Sequence, residues 1–347
     1  MISTKVQNLI PYTAGEQINT PNLIKLNTNE NAYPPSPAVG ILLNSLSTEP
    51  LKLYPDPECS NLVKTISEYE KVEPQNIFVG NGSDEVLAFA FLALFEHTVA
   101  YPAIGYSFYP VYADLYNLNK NPITLNNNFT IDLNKYNNLD HGVILANPNA
   151  PTSLSVSYNN LLNFVKNHKH NIIVDEAYID FATRSKSLAS IAPDLSNLLV
   201  VKTLSKSYAL AGLRCGYAVG NTEFINALNK VKNSFNSYTM DYIAQNLAAV
   251  AIKDTNYHKT ITQKIINTRE NTKQELIKNN HTVLDSDANF LFIKHNTQDG
   301  ETVYKKLKEQ NILVRHFSSN QIIAPYVRVT IGTDKQMQAF LTAFNKL

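Results

Sequence analysis

The segment TLSKSYALAGLRCGY (203–217) sets Lys206 eight residues before Arg214, among small and apolar neighbours. With Ser205 it offers a hydroxyl, an ammonium and a guanidinium, three donors able to converge on an anion. A lysine is by default a surface residue, so the segment needs company before chemistry is assigned to it. Upstream, NIIVDEAYIDF (171–181) places Asp175 at the end of an apolar run. Ligands in open α/β sheets bind outside the carboxyl ends of strands, so an acid there is a site residue or a solvated loop acid. Further upstream, VGNGSDEVL (79–87) sets glycines between a strand and a helix. Backbone N–H groups at such a helix start suit a phosphate. Ser83 and Asp84 are also ordinary caps, and Glu85 stands where a third glycine would complete GxGxxG. A plain capped turn and a weak nucleotide or S-adenosylmethionine loop therefore compete.

The three segments occur in order, each at a predicted strand end. Together they supply a phosphate-binding helix start, a carboxylate and a lysine beside a further cation. Pyridoxal 5'-phosphate needs these groups, because a lysine forms its Schiff base and an acid pairs with its pyridinium nitrogen.

Such residues need a scaffold. NIFVG (76–80), TVAYP, GVILANP, NIIVDEAYIDF, NLLVVKTLS (197–205) and CGYAVG (215–220) are short apolar runs, and helical segments such as 83–95 lie between them. This alternation predicts an α/β fold with a mostly parallel sheet covered on both faces. The first residues, including NENAYPPSP (29–37), are rich in turn formers and predict an extended arm. After residue 240 a long helical stretch, 241–279, leads into a smaller α+β unit. The expected division is an arm at 1–45 packing with the small unit, a large domain at 46–240 and the small domain at 241–347.

With 347 residues, a net charge of +1 and 17% charged residues, the chain has no overall field for nucleic acid or an anionic membrane. Its longest apolar run, VLAFAFLALF (86–95), falls short of the roughly 20 residues a membrane span needs. Two distant cysteines and no CxxC exclude a disulfide framework, and no metal site is expected. The N-terminus lacks the apolar core of a secretory signal, so a cytoplasmic protein is expected.

On these motifs, with LNTNENAYPPSP, LYPDPE, GYSFYPVYADLY, ANPNAPT and YVRVTIGT beside them, the chain resembles the fold-type I, class II pyridoxal-phosphate-dependent aminotransferases. Within them it looks like the histidinol-phosphate aminotransferases. The resemblance spans nearly the whole chain and implies a large domain with a mostly parallel seven-stranded sheet. It implies an amino transfer between L-histidinol phosphate and 2-oxoglutarate by a ping-pong cycle, in a homodimer. Aromatic amino acids as donors, a threonine-phosphate decarboxylase of the same fold and a non-catalytic regulator are the alternatives. A methyltransferase built on GNGSDE is a further rival, with no role for Lys206.

By the resemblance, Lys206 carries the cofactor and moves the substrate proton, Asp175 pairs with the pyridine nitrogen, and Tyr178 bonds the 3′ oxygen. Tyr109 stacks on the ring. Ser83, Asp84, Thr203, Ser205 and Arg214 cup the phosphate, joined by Tyr54 of the partner subunit. Arg328 holds the substrate anion, Arg315 offers a second anion position, and Asn29, Glu30 and Tyr33 of the arm close over the substrate. One departure stands out. Where many relatives read Asn-Pro-Thr-Gly, NPNAPTS has Ala150 for the asparagine and Ser153 for the glycine. Asn149, one residue earlier, is the candidate substitute, or Tyr178 acts alone.

Overall fold

A computed structural model describes residues 1–18 and 20–347. The arm contributes one short strand, β1 (Ile24–Lys25). Seven strands follow: β2 (Ile77–Gly80), β3 (Thr98–Pro102), β4 (Asn119–Ile123), β5 (Gly142–Ala146), β6 (Ile172–Asp175), β7 (Leu198–Thr203) and β8 (Gly216–Gly220). They form one sheet in the order β2-β8-β7-β6-β5-β3-β4. β8 runs antiparallel to both its neighbours, and the other pairings are parallel.

The central strands carry apolar side chains on both faces, and that is why the sheet must be covered on both. Val143, Leu145, Ile172 and Val174 enter one apolar cluster, whereas Ile144, Ala146 and Ile173 enter the cluster behind. Burial of each such side chain is worth about 1.5–3 kcal/mol. Helices Ser60–Glu70 and Tyr242–Lys253 pack on the first face, and helix Ser83–Leu94 and helix Thr222–Phe235 on the second. Parallel strands leave their carboxyl ends along one edge, so Asp175, Thr203 and the loops after β3 and β5 converge there.

The C-terminal part adds β9 (Thr282–Val283), β10 (Phe290–Lys294), β11 (Ile312–Leu313), β12 (Arg315–His316) and β13 (Tyr326–Thr330). An antiparallel sheet runs β12-β13-β10-β9. β1 of the arm pairs parallel with β11, and Leu26 enters the same core as Phe340 and Phe344 of the last helix.

Two elements differ from the sequence reading. The stretch 241–279 is two helices, Tyr242–Lys253 and Thr255–Lys278, because Asp254 ends the first and caps the second by accepting from Tyr257 N (3.2 Å). β4 was not expected. Its sequence, NKNPI, is polar and half exposed, and it occupies the sheet edge, where a proline needs no ladder partner. No described helix is long and apolar enough to cross a membrane. No group of three or more His, Cys, Asp or Glu among the described residues could hold a metal ion.

Candidate active site

The strand edge opens into a cavity of about 180 Å³, lined by Asp175, Tyr178, Lys206, Thr203, Ser205, Arg214, Ser83, Asp84 and Glu30. Asp175 closes β6 at its floor, 5% exposed. Tyr109 Oη donates to its Oδ2 (2.9 Å) and Ala177 N to its Oδ1 (3.2 Å). Burial raises the Asp175 pKa to about 6, against the lowering effect of these two donors. Lys206 follows β7 in a turn held by Ser205 N donating to Thr203 Oγ1 (3.1 Å). Its Nζ lies 3.4 Å from the Thr28 carbonyl and 5.8 Å from the centre of the Tyr178 ring. The arm thus covers the lysine, and Asn31 Nδ2 donates to the Lys206 carbonyl (2.9 Å).

The opposite wall suits a phosphate. Helix Ser83–Leu94 starts here with no side-chain cap, so the first-turn N–H groups of Ser83 and Asp84 are open to an anion. Gly82 has φ +84°, and a Cβ on it would run into the Arg214 guanidinium. Gly216 is needed because a Cβ there would meet the backbone of Gly82 and Ser83. These two glycines let a helix start, a strand start and an arginine crowd round one small volume. Arg214 donates to Asp84 Oδ2 (3.2 Å) and reaches Ser205 Oγ at 3.5 Å.

Ala150 and Tyr106 line this cavity and also a second one of about 280 Å³, which holds Arg315 and Arg328. The two arginines are direct partners across β12 and β13. Like charges in that register repel, and no carboxylate among the described residues lies within ion-pair distance of either. Arg328 donates to the Asn27 carbonyl (2.9 Å), its Nε is buried without a partner, and burial lowers its pKa from the ordinary value. Two unneutralised guanidiniums on one cavity call for an anionic ligand. A roomier hollow at Pro57, Cys59 and Lys232 lacks this character, because the Lys232 ammonium already donates to the Pro57 carbonyl (2.7 Å).

Several expected positions differ. Tyr109 is fully buried and lies off the cavity, within helix Phe108–Leu115 and behind Asp175. Tyr106, which the sequence reading missed, stands at the cavity wall and donates to Asp84 Oδ1 (2.8 Å). Asn149 does not reach the cavity. Its amide donates to the Ile104 carbonyl (3.0 Å) and to Thr152 Oγ1 (2.9 Å), and Ala150 takes the wall position. Asn29 is 1% exposed and lines neither cavity, but donates to Tyr178 Oη (2.9 Å). Tyr33 also stays off both cavities, its hydroxyl buried without a partner and Lys264 4.5 Å over its ring. Glu30 does line the cavity; burial raises its pKa, but Lys25 and Thr28 outweigh this and hold it below the usual value. Tyr54, expected to serve the partner subunit and untested by a single chain, is 81% exposed, is absent from this cavity's lining and stacks on Tyr238 at 4.6 Å.

The profile of the aminotransferase class I and II family matches residues 21–344. The chain belongs to this family. Among aminotransferases of known sequence, the histidinol-phosphate aminotransferase of Brachyspira hyodysenteriae is 49% identical, over 98% of this chain and 96% of the relative. That of Clostridium botulinum strain Okra is 45% identical, over 99% and 98%. Among solved aminotransferases, the histidinol-phosphate aminotransferase of Sinorhizobium meliloti in complex with pyridoxal-5'-phosphate superposes with a TM-score of 0.88 at 21% identity, over 99% of this chain and 96% of that one. The Clostridium acetobutylicum enzyme gives 0.85 at 26% identity, over 93% and 98%. This places the present chain among the fold-type I aminotransferases.

Proposed function

We propose that this aminotransferase uses pyridoxal 5'-phosphate to move the amino group of L-histidinol phosphate to 2-oxoglutarate. The observation that carries this is a pair of cavities that share Tyr106 and Ala150 as lining. Lys206, Asp175 and a free helix N-terminus line the first, and Arg315 and Arg328 line the second. The names of relatives at 44–49% identity over nearly their full length supply the substrate.

The residues present fit the cofactor. Bound there, it supplies an electrophilic carbonyl carbon and a ring that accepts electrons. Ser83 N, Asp84 N, Ser205, Thr203 and Arg214 would hold its phosphate, and Asp175 its ring nitrogen. A carboxylate lifted to about 6 by burial gains most from a nearby cation. Lys206 Nζ would anchor the cofactor and carry the proton from substrate Cα. Arg328, with Arg315 beside it, would orient the phosphate of one substrate and the carboxylate of the other, as a ping-pong cycle needs. The working form is a cytoplasmic homodimer, in which Tyr54 of the partner subunit completes the phosphate cup. Exposed Leu51, Leu53 and Phe235 near the Tyr54–Tyr238 stack favour a covered face.

The test is a product assay with histidinol phosphate, phenylalanine, tyrosine and threonine phosphate, each with 2-oxoglutarate. The expected result is glutamate formed fastest with histidinol phosphate. Glutamate only from the aromatic amino acids, or carbon dioxide from threonine phosphate, would overturn the assignment.

A further inference from the structure

We propose that Asn29 is a positioning residue that aims the Tyr178 hydroxyl hydrogen into the cavity, toward the ring oxygen of the bound cofactor. The inference rests on the cofactor reading above and adds to it a residue that touches neither substrate nor cofactor.

The hydrogen bonds around Asn29 have one fully satisfied arrangement. Asn29 N donates to Thr330 Oγ1 (3.0 Å), and Thr330 Oγ1 donates to Asn29 Oδ1 (3.1 Å). The amide oxygen is thereby used, and Asn29 Nδ2 faces Tyr178 Oη at 2.9 Å. Turning the amide over would leave the buried Thr330 hydroxyl hydrogen without an acceptor, a costly state at 2% exposure. Tyr178 Oη therefore accepts from Asn29, and its own hydrogen must point elsewhere. The ring has little freedom, because it packs edge-on against Phe290 with centroids 5.1 Å apart. Since Tyr178 lines the cavity, that hydrogen is directed inward.

The backbone is built for this task. Asn29 has φ +56°, a left-handed conformation that asparagine tolerates better than most residues. Asn289 Nδ2 donates to its carbonyl (3.0 Å). The arm, β13 and the loop before β10 thus fix one amide. The departure at Ala150 gives this amide its importance. Ala150 puts no donor on the cavity wall, and the Asn149 amide is spent elsewhere. Donation to the cofactor's 3′ oxygen falls to Tyr178, and a phenol that accepts one hydrogen bond donates a stronger one.

The experiment uses the holoenzyme and follows the visible band of the bound cofactor against pH, without turnover. Donation to the ring oxygen competes with a proton for the same electrons, so it lowers the pH at which the band titrates. Asn29→Gly keeps the left-handed backbone and removes the amide, and Asn29→Asp keeps the shape but offers Tyr178 an acceptor in place of a donor. Both should move the midpoint upward by roughly half to one pH unit, Asp more than Gly. In the Y178F background Asn29→Gly, which adds no charge, should not move it further. An unchanged midpoint in both variants, or an equal Asn29→Gly shift without the Tyr178 hydroxyl, overturns the proposal. A wild-type protein with no visible band refutes the cofactor reading instead, and this inference with it.

Discussion

Asp175→Asn should stabilise the cofactor-free protein at alkaline pH while removing its chemistry. The wild-type carboxyl moves from an ordinary 3.8 to about 6 on folding, because burial penalises its charge. For an acid raised by folding, the penalty is absent below the unfolded value and complete above the folded one. Two units correspond to about 3 kcal/mol at pH 8 and about half that at pH 5. Asparagine keeps the shape but has one acceptor for two donors, Tyr109 Oη and Ala177 N. That mismatch costs about 1 kcal/mol at either pH. The net gain is then about 2 kcal/mol at pH 8 and less than about 1 kcal/mol at pH 5. Urea unfolding of both cofactor-free proteins at the two pH values measures it. A variant less stable than wild type at pH 8, or a gain unchanged at pH 5, would refute the reasoning. The physical content is that the fold holds a charge at a cost in order to meet a cationic ring nitrogen.

Further outcomes follow from the same geometry. Tyr109→Phe removes one donor from Asp175 and should raise its pKa by roughly one unit; cofactor affinity, followed by fluorescence, should then fall off at a correspondingly higher pH, and an unshifted profile counts against the role given to Tyr109. Arg328→Ala should raise KM for both the amino donor and the 2-oxo acid by roughly 100-fold, with a smaller effect on kcat; a loss confined to one substrate contradicts a shared anion site. His281 and His295 are held neutral, since His281 Nδ1 accepts from Asn296 N (3.2 Å) and His295 Nδ1 from Thr297 N (3.2 Å). Burial lowers both pKa values from 6.5, so their protonation destabilises the small domain as pH falls below that point. Ring resonances that titrate at or above 6.5 would contradict this.

The sheet was legible because its strands are short, apolar and separated by helices, and because a buried parallel strand cannot hide its composition. Lys206, Asp175 and the Ser83 helix start were legible for a related reason: each follows an apolar run, and the topology brings strand ends together. The tyrosines of GYSFYPVYADLY were not. Tyr106 and Tyr109 stand in one motif, but Tyr106 lies in the loop after β3 and Tyr109 inside the helix, where the sheet buries it. That loop-or-helix position was the available signal. Asn149 and Ala150 are neighbours, and only the path of the backbone decides which one faces the cavity. Asn29 was expected to close over the substrate, and its bonds to Thr330 and Tyr178 could not be read, because those partners lie far away in sequence. The edge strand β4 escaped for the opposite reason to the core strands, since half-exposed polar residues carry little pattern.

The central claim is that Lys206 is the residue that holds the cofactor. Borohydride reduction of the protein loaded with pyridoxal 5'-phosphate, followed by digestion and peptide mass measurement, tests it directly. The account predicts the added mass on the peptide containing Lys206, and no visible band in a Lys206→Ala variant. Label on another lysine, such as the buried Lys202, or an unlabelled and colourless protein would contradict it.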